Sequence, residues 1–320
     1  MTANVVLLVT TSYDFTAPYV ERHLSQMGAT VFRLNSDLFP SRITGTIDPV
    51  RGVTFRTDTA SVSSGDIRSI WYRRHSSPLL PEDFDDGTKE FCERECRAFL
   101  NGCLYSLNVQ RWMSHPQALM LAEAKPYQLM IARHLGFNVP PTRITSDIHE
   151  VTDFSHRYKL VAKAVSSGYV RTNDGNSAIF TSTVSDDDLL DLDGLAYAPV
   201  TFQEHMRKFS DIRVTVVGDR VYAAEILSQG EVSSQVDWRA TENPELPHRR
   251  HELPAYMVGL CSELVKRFDL VFGAIDLILT ERGDYVFLEI NPNGEWAWIE
   301  DKLGFPIAHD IAEWLNAEVV

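Results

Sequence analysis

The chain has 320 residues, 44% of them hydrophobic, so it can bury a large core and has the length of two or three lobes. Its formal net charge of −14 argues against general binding to nucleic acid, although a local group of lysines, arginines and metal could hold a polyphosphate inside a cleft. No apolar run approaches the roughly 18 residues that a membrane helix needs, and the first residues lack the basic stretch of a signal peptide, so we expect a cytoplasmic protein that binds no membrane.

The first hundred or so residues alternate between strand and helix patterns. The predicted elements are strands at 5–10, 30–34, 53–56 and 67–72 and helices at 17–27 and about 81–107. This alternation predicts an open α/β lobe, which we assign to residues 1–115. No glycine-rich fingerprint follows the first strand, which disfavours a dinucleotide-binding lobe.

The rest of the chain predicts two further lobes. A break at His115-Pro116 precedes a central, β-rich lobe at 116–200, which contains a mobile Gly/Ser/Asn-rich loop at 166–177, and a C-terminal lobe at 201–320 follows. The predicted elements are helices at 117–135, 256–268 and 307–317 and strands near 159–165, 178–183, 200–203, 212–217, 220–227, 272–279 and 285–290. The fold class that we predict is therefore α/β, with α+β lobes.

Three of the four cysteines fall on one face of the predicted long helix. Cys92, Cys96 and Cys103 have the spacings i, i+4 and i+11, which point the same way at about 100° per residue. A metal or redox cluster would need a CxxC pair or a nearby histidine, and neither is present. Small apolar core residues are the favoured interpretation, and Cys261 is interpreted in the same way.

Two carboxylates and an amide form the strongest group of candidate site residues. Asp276 lies inside an otherwise apolar strand, where an unpaired carboxylate would be costly. Glu289 and Asn291 are two residues apart on the next strand, so their side chains leave the same face, and antiparallel pairing can bring Asp276 beside them. Such a set of hard oxygen atoms suits Mg²⁺. A carboxylate that caps a loop is the alternative.

Two lysines are candidates for binding phosphate. Lys163 alternates with apolar residues on a strand directly before the loop that contains Gly168, so it could hold phosphate oxygens while the loop closes. Exposed strand lysines are common, so this pattern alone does not decide its role. Lys125 stands at the start of a helix pattern, and its functional interpretation depends on the other candidates.

The segment Gln203-Glu204-His205-Met206 ends a predicted strand. Backbone groups of such a hinge can bind the edge of an adenine, with Met206 packed on the ring. His205 by itself is better explained as a polar residue at a strand end than as a catalytic base.

Two arginines could bind carboxylate or phosphate with both arms of the guanidinium. Arg213 alternates inward with apolar neighbours, and Arg239 follows a polar loop in Asp237-Trp238-Arg239. Structural ion pairs are the alternative, for example between Arg213 and Asp211 or Glu225. No nucleophile elbow, plausible Cys–His pair or P-loop is present, so covalent catalysis fits poorly.

Taken in order, these candidates resemble the ATP-grasp superfamily, and most closely its microviridin-type graspetide synthetases, which mature ribosomal peptides. The resemblance covers nearly the whole chain. The stretches that carry it are FRLNSDLFP at 32–40, WYRR at 71–74, TFQE at 201–204, VDWR at 236–239 and FLEINPNGEW at 287–296. The resemblance implies an ATP-grasp fold in which an N-terminal lobe precedes the two ATP-grasp lobes.

By this resemblance, ATP would phosphorylate a side-chain carboxylate of a precursor peptide, and a hydroxyl or amine of the same peptide would displace the phosphate. The implied partner is a ribosomally made peptide with leader and core, the implied cofactors are ATP and Mg²⁺, and a homodimer is compatible. The implied site residues are Lys125, Lys163, Gln203, Glu204, His205, Met206 and Asp211 for ATP, Asp276, Glu289 and Asn291 for Mg²⁺, Arg213 and Arg239 for catalysis, and Arg73, Arg74 and Trp238 for the peptide.

Three functions are weighed at this point. The first is an ATP-grasp peptide macrocyclase. The second keeps the fold but is a free-standing ligase that joins amino acids or extends the C-terminus of a protein. The third is a non-catalytic regulator that binds ATP or peptide, against which the intact set of metal ligands argues. The stretches WYRR and DWR favour the first function over the second, by resemblance alone.

Overall fold

Contacts within the computed structural model, which describes residues 4–166, 168–172, 175–241, 243 and 246–318, divide the chain into two units. The first unit comprises Met1–Gln117, Asp269–Phe272 and Glu295–Val320, and the second comprises Ala118–Phe268 and Gly273–Gly294. No helix in the described part of the chain is long and apolar enough to cross a membrane.

The first unit contains the predicted parallel sheet. Its strands are β1 (Val5–Thr10), β2 (Thr30–Asn35), β3 (Thr44–Asp48), β4 (Gly52–Arg56), β5 (Ser61–Ser63), β6 (Ile67–Tyr72) and β7 (Arg111–Met113). The order β2-β1-β6-β7 is parallel throughout, whereas β3, β4 and β5 form a separate antiparallel sheet. The residues of β1 from Val6 onward are buried, as is typical of a central strand covered on both faces.

The first unit contains helices from both ends of the chain. They are α1 (Ala17–Gln26), α2 (Asp86–Tyr105), and, from the C-terminal segment, α8 (Ala297–Leu303) and α9 (Ile307–Asn316). Of these, α1 and α9 pack on the parallel sheet. α2 begins five residues after the predicted start, because the Asp85 side chain accepts from the Thr88 N–H and caps the helix. Cys103 and Cys261 are buried and Cys96 packs against the core, in agreement with the apolar interpretation, whereas Cys92 is only half-buried.

The second unit contains three sheets. Its strands are β8 (Thr142–Thr145), β9 (Leu160–Lys163), β10 (Tyr169–Thr172), β11 (Gly175–Ala178), β12 (Ser182–Thr183), β13 (Val200–Glu204), β14 (Ser210–Val217), β15 (Arg220–Ile226), β16 (His248–Arg250), β17 (Phe272–Leu279) and β18 (Tyr285–Asn291). The strand orders are β10-β11, β12-β9-β13-β8 and β16-β15-β14-β17-β18. The larger two sheets carry Lys163, Gln203, Glu204, Asp211, Arg213, Asp276, Glu289 and Asn291, and the other candidates after Lys125 lie in segments between strands.

The helices of this unit are α3 (Pro116–Ala122), α4 (Lys125–Leu135), α5 (Ile148–Ser155), α6 (Asp186–Leu190) and α7 (Ala255–Arg267). The predicted single helix at 117–135 is wrong, because Pro126 lies in the first turn of α4 and lacks the N–H that a continuous helix would need. α4 ends at Gly136, whose φ of 102° is left-handed and favours glycine.

Two further differences from the sequence predictions concern the short strands near residue 175 and the unit to which the C-terminal segment belongs. The described residues of the predicted loop at 166–177 include the hairpin strands β10 and β11, and the predicted strand at 178–183 is reduced to β12. Residues 295–320 group with the first unit, whereas the sequence assigned them to a C-terminal lobe of 201–320, because α1 packs on α9 and Tyr19 meets Trp296 edge to face.

Candidate active site

A cleft of about 710 Å³ lies within the second unit. Its walls come from β9, β13, the start of α4, the segment before Arg239, and the β17–β18 hairpin. The sequence-predicted residues that line it are Lys125, Lys163, Gln203, Glu204, His205, Met206, Asp211, Trp238, Arg239, Asp276, Glu289 and Asn291. Twelve of the residues proposed from sequence are thus brought together although they span 167 positions, from residue 125 to residue 291.

The β17–β18 hairpin presents the candidate metal ligands. Asp276 pairs directly with Glu289 across the two antiparallel strands, and an irregularity in the register follows at Leu277. The Asn291 Nδ2 lies 3.4 Å from Glu289 Oε1, so the amide and the carboxylate share one face. Asp276 and Glu289 are 9% and 7% exposed, and such burial of two carboxylates requires compensating charge.

Lysine and arginine compensate the charge of Glu289. Lys125 Nζ lies 2.8 Å from Glu289 Oε2, and Arg239 Nη1 lies 3.4 Å from Oε1. Burial alone would raise the pKa of Glu289, but the charges of Lys125 and Arg239 hold it at about 2. The carboxylate is therefore ionised at neutral pH, as a metal ligand must be.

Arg213 pairs with Asp276 rather than with the partners suggested from the sequence. Its Nη1 lies 2.8 Å from both carboxylate oxygens of Asp276. Asp211 is instead paired with Lys208, and Glu225 with Arg249 and His251, so the proposed ion pairs of Arg213 with Asp211 or Glu225 are wrong. The sequence could not distinguish these partners because Asp276 is 63 residues away.

Arg239 is held in a fixed orientation by its neighbour Asp237. Nε and Nη2 each lie 2.9 Å from one oxygen of the Asp237 carboxylate, a two-armed contact. Burial acts to lower the pKa of Arg239, but the hydrogen bonds and charge of Asp237 raise it overall. Asp237 also accepts from the Thr181 N–H at 3.3 Å, which ties this arginine to the segment after β11.

Lys163 has a polar partner on the neighbouring strand. Its Nζ donates to Gln203 Oε1 at 2.9 Å, and Gln203 in turn donates to Thr142 Oγ1. Burial lowers the pKa of Lys163, although the charge of Glu289 opposes this. A phosphate group near Lys163 would add a counter-charge that favours the protonated amine.

Two backbone N–H groups of the predicted adenine hinge form hydrogen bonds within the protein. The N–H of Glu204 donates to Pro141 O at 2.9 Å, and the N–H of His205 donates to Lys159 O at 2.7 Å. Burial, with the nearby charges of Lys208 and Lys159, lowers the pKa of His205. His205 is thus held at a strand end by its backbone, and the contact of Met206 with adenine stays a prediction.

The peptide-binding arginines predicted from sequence lie in the first unit. Arg73 is buried, donates from Nε to Thr16 Oγ1 at 3.2 Å, and lies 3.0 Å from Glu295 through Nη2. Arg74 contacts the same carboxylate. Burial, together with the charge of Arg74, lowers the pKa of Arg73 to about 10. Their role toward a peptide stays a prediction, as does that of Trp238, which packs edge-on against His248.

Three residues of the cleft escaped the sequence reasoning. Asp237 orients Arg239, and Lys208 is buried with its Nζ 2.7 Å from Asp211 Oδ2 and 3.1 Å from Val236 O. Gln128 bonds the backbone of Ile290. Lys208 and Asp211 are only three residues apart, whereas the partner of Gln128 is 162 residues away.

The charges of the lining decide whether Mg²⁺ and ATP fit. Six lining residues are acidic and four are lysine or arginine. The acidic ones are Glu123, Glu204, Asp211, Asp237, Asp276 and Glu289, and the cationic ones are Lys125, Lys163, Lys208 and Arg239. This balance disfavours a bare polyphosphate, and a divalent cation on Asp276, Glu289 and Asn291 would reverse it. The residues present therefore fit a metal–nucleotide complex.

Comparisons with known proteins agree on the class. A family model of the MvdD pre-ATP-grasp domain matches residues 5–119. The structure of macrocyclase MdnC bound with precursor peptide MdnA from Microcystis aeruginosa MRC has a TM-score of 0.89 and 31% identity, and the match covers 97% of this chain and 98% of that one. No match was found among curated protein sequences.

Two further structures are similar over their full length. The Chryseobacterium gregarium RiPP-associated ATP-grasp ligase, in complex with ADP and a leader and core peptide, has a TM-score of 0.90 and 29% identity, covering 99% of this chain and 100% of that one. Macrocyclase MdnB from Microcystis aeruginosa MRC has a TM-score of 0.81 and 30% identity, covering 98% and 99%.

Fold and site thus define an ATP-grasp ligase, an enzyme of mixed α/β architecture. The chain belongs to the graspetide-type ATP-grasp maturases of ribosomal peptides.

Proposed function

We propose that the chain is an ATP- and magnesium-dependent macrocyclase of a ribosomal precursor peptide with leader and core. It activates Glu or Asp side-chain carboxylates of this peptide and joins them to Ser or Thr hydroxyls, or to Lys amines, of the same peptide. The observation that carries the proposal is the direct pairing of Asp276 with Glu289, with Asn291 beside them, in a cleft that also contains Lys125, Lys163 and Arg239.

The metal ligands in this proposal are Asp276, Glu289 and Asn291. When bound there, Mg²⁺ would neutralise phosphate charge and polarise the transferred phosphoryl group. Lys125, which contacts Glu289 in the structure, and Lys163, which donates to Gln203, would instead bind phosphate oxygens. Gln203, Glu204, His205, Met206 and Asp211 complete the nucleotide site.

Two chemical steps follow from this placement. A carboxylate oxygen of the peptide attacks the γ-phosphorus of ATP, the bond from that phosphorus to the ADP oxygen breaks, and ADP leaves. The hydroxyl oxygen or amine nitrogen of the same peptide then attacks the acyl carbon. The bond from the acyl carbon to the phosphorylated oxygen breaks, and phosphate leaves with the proton of the attacking group. The protein contributes positioning and charge, without a covalent bond to the enzyme.

We assign to Arg213 and Arg239 the stabilisation of the negative charge that develops during the reaction. Arg239 is held on both oxygens of Asp237 and still reaches Glu289, so its guanidinium is oriented before substrate binds. Arg213 contacts both carboxylate oxygens of Asp276 through Nη1. Arg73, Arg74 and Trp238 are proposed to contact the peptide. For the whole protein we expect a cytoplasmic location and a homodimer.

The alternative function is a free-standing carboxylate–amine ligase that acts on amino acids or on the C-terminus of a protein. The same metal and nucleotide site would serve it.

The test is to incubate the enzyme, ATP and Mg²⁺ with a small peptide, rich in Ser or Thr and in Glu or Asp, that is encoded beside its gene. We expect each ring to lower the peptide mass by that of one water molecule, because condensation expels water. A gain in mass would indicate residue addition and contradict cyclisation.

A further inference from the structure

Gln128 is a buried glutamine on α4, one helical turn after Lys125 and 1% exposed. It lines the cleft but belongs to none of the groups assigned above. A buried amide needs partners for its two N–H donors and its carbonyl oxygen, since leaving any of them unpaired costs free energy. The partners of Gln128 therefore indicate its role.

All three partners of Gln128 are backbone groups. Its Nε2 donates to Ile290 O at 2.9 Å and to Ala122 O, and its Oε1 accepts from the Ile290 N–H at 3.1 Å. Both donors are thus used within the protein, so the side chain has no N–H left for a ligand. A flipped amide would point N–H groups at the Ile290 N–H, so only the observed orientation satisfies every group.

The position of Ile290 gives these bonds their significance. β18 is the last strand of its sheet, and in an antiparallel strand the N–H and C=O of one residue point to the same side. At Ile290 both groups point to Gln128, whose amide therefore takes the place of a neighbouring strand. Ile290 is the residue between Glu289 and Asn291, the two ligands that β18 supplies to the proposed metal site.

We propose that Gln128 is a positioning residue for the metal–nucleotide complex. By fixing both backbone groups of Ile290, it fixes the peptide units that carry the side chains of Glu289 and Asn291. Lys125, on the same helix, contacts the Glu289 carboxylate itself. Two residues of α4 therefore hold the end of β18, Gln128 through the backbone of Ile290 and Lys125 through the side chain of Glu289. This role rests on the proposed function, in which Glu289 and Asn291 bind Mg²⁺.

The first test measures the backbone without nucleotide or metal. Gln128→Met keeps a side chain of similar length but removes all three bonds, and Gln117→Met, at an exposed position on α3, is the matched control. We expect the Ile290 amide to exchange with solvent at least about tenfold faster in Gln128→Met, relative to amides of β14, and at the wild-type rate in Gln117→Met. Equal Ile290 exchange in all three proteins would overturn the proposed clamp.

The second test measures the consequence for metal binding, without turnover. Mn²⁺ is titrated in the presence of ADP and followed by electron paramagnetic resonance. We expect Mn²⁺ to bind about 10- to 100-fold more weakly to Gln128→Met than to wild type or Gln117→Met. If Gln128→Met does not fold, Gln128→Glu replaces it, because its carboxylate would face the carbonyls of Ile290 and Ala122 and displace the strand end.

The outcomes separate this proposal from the proposed function. Equal Mn²⁺ affinity in wild type and the Gln128 variant would overturn the positioning role while leaving the metal site intact. Absence of Mn²⁺ binding to wild type would refute the metal site itself, and the positioning role with it.

Discussion

Glu289 keeps its charge in a buried position because Lys125 and Arg239 lie within 2.8 and 3.4 Å of it. Asp276 is compensated separately, by Arg213 at 2.8 Å. Each proposed metal-binding carboxylate thus has a cationic partner within the protein. Binding of Mg²⁺ would replace these partners, which frees a lysine and two arginines for phosphate and acyl oxygens.

Removing the charge of Glu289 should abolish ADP formation. We expect Glu289→Gln to lower the rate of ADP release by about 100-fold or more, because a neutral amide is a poor ligand for Mg²⁺ and metal binding supplies several kcal/mol. Asp276→Asn should have the same effect. Glu281→Gln, on the exposed turn of the same hairpin, is the control and should keep full activity. A folded Glu289→Gln enzyme, judged by its unfolding midpoint, with wild-type ADP release would contradict the metal assignment.

The pKa of Glu289 also predicts how stability depends on pH. Its folded-state pKa of about 2 lies below the ordinary value of 4.5, so its ion pairs stabilise the fold above pH 4.5 and are lost as pH falls toward 2. We expect the gap in free energy of unfolding between wild type and Glu289→Gln to narrow over this window. Urea unfolding at a series of pH values measures it, and parallel curves for the two proteins would refute the assigned pKa.

At the scale of single residues, the sequence predicted what local geometry decides. Glu289 and Asn291 share a face because strands alternate, and Asp276 lies opposite because the turn between its strand and theirs is short. The partners of Arg213 and Gln128 could not be predicted in this way. Their bonds join residues 63 and 162 positions apart, and only the packing of whole elements brings them together.

At the scale of elements, the segment after β18 approaches the site closely. A Cβ added at Gly294 would lie 2.7 Å from Arg213 Nη2 and would also collide with Ala274 on β17. Glycine therefore lets the chain leave β18 without displacing the arginine that compensates Asp276. This close approach explains, in physical terms, why a glycine stands in the PNGEW stretch.

Replacing glycine by alanine should have opposite effects on stability at two positions of the chain. Gly294→Ala should lower the unfolding midpoint and ADP release together, because the added methyl displaces Arg213 or β17. Gly259→Ala lies in α7, where a Cβ meets nothing within 4 Å, and should stabilise the protein by about 0.5–1 kcal/mol with activity unchanged. Thermal unfolding and ADP assays on both variants measure this. Destabilisation by Gly259→Ala, or tolerance of Gly294→Ala, would contradict the packing described.

The longer elements were predictable and the short ones were not. β17, and the break between the strands predicted at 212–217 and 220–227, were predicted at the right places, because apolar runs and turn residues determine them locally. The sequence placed a helix start at Lys125 but also assigned one helix to 117–135, since a proline inside a helical pattern can either break a helix or begin one. β3 was missed because it is mostly exposed and lacks clear alternation, and β5 because it has only three residues.

At the scale of the whole molecule, the chain passes between its two units four times. Residues 295–320 return to the first unit, where Ser69 Oγ donates to Leu315 O and His23 lies beside His309. Sequence patterns placed this segment in the lobe that precedes it, because nothing local reveals a partner more than 240 residues away. The resemblance to ATP-grasp maturases predicted the fold class, while the division into units required the structure.

The central claim is that ATP activates side-chain carboxylates of a peptide as acyl-phosphates. Its most direct test is a precursor peptide whose Glu and Asp side-chain carboxylates are labelled with a heavy oxygen isotope, converted by the enzyme with ATP and Mg²⁺. Because the phosphorylated oxygen leaves with phosphate, we predict one labelled oxygen in inorganic phosphate for every ring formed, together with one ADP. Ring formation with unlabelled phosphate, or with the label in AMP, would contradict the account.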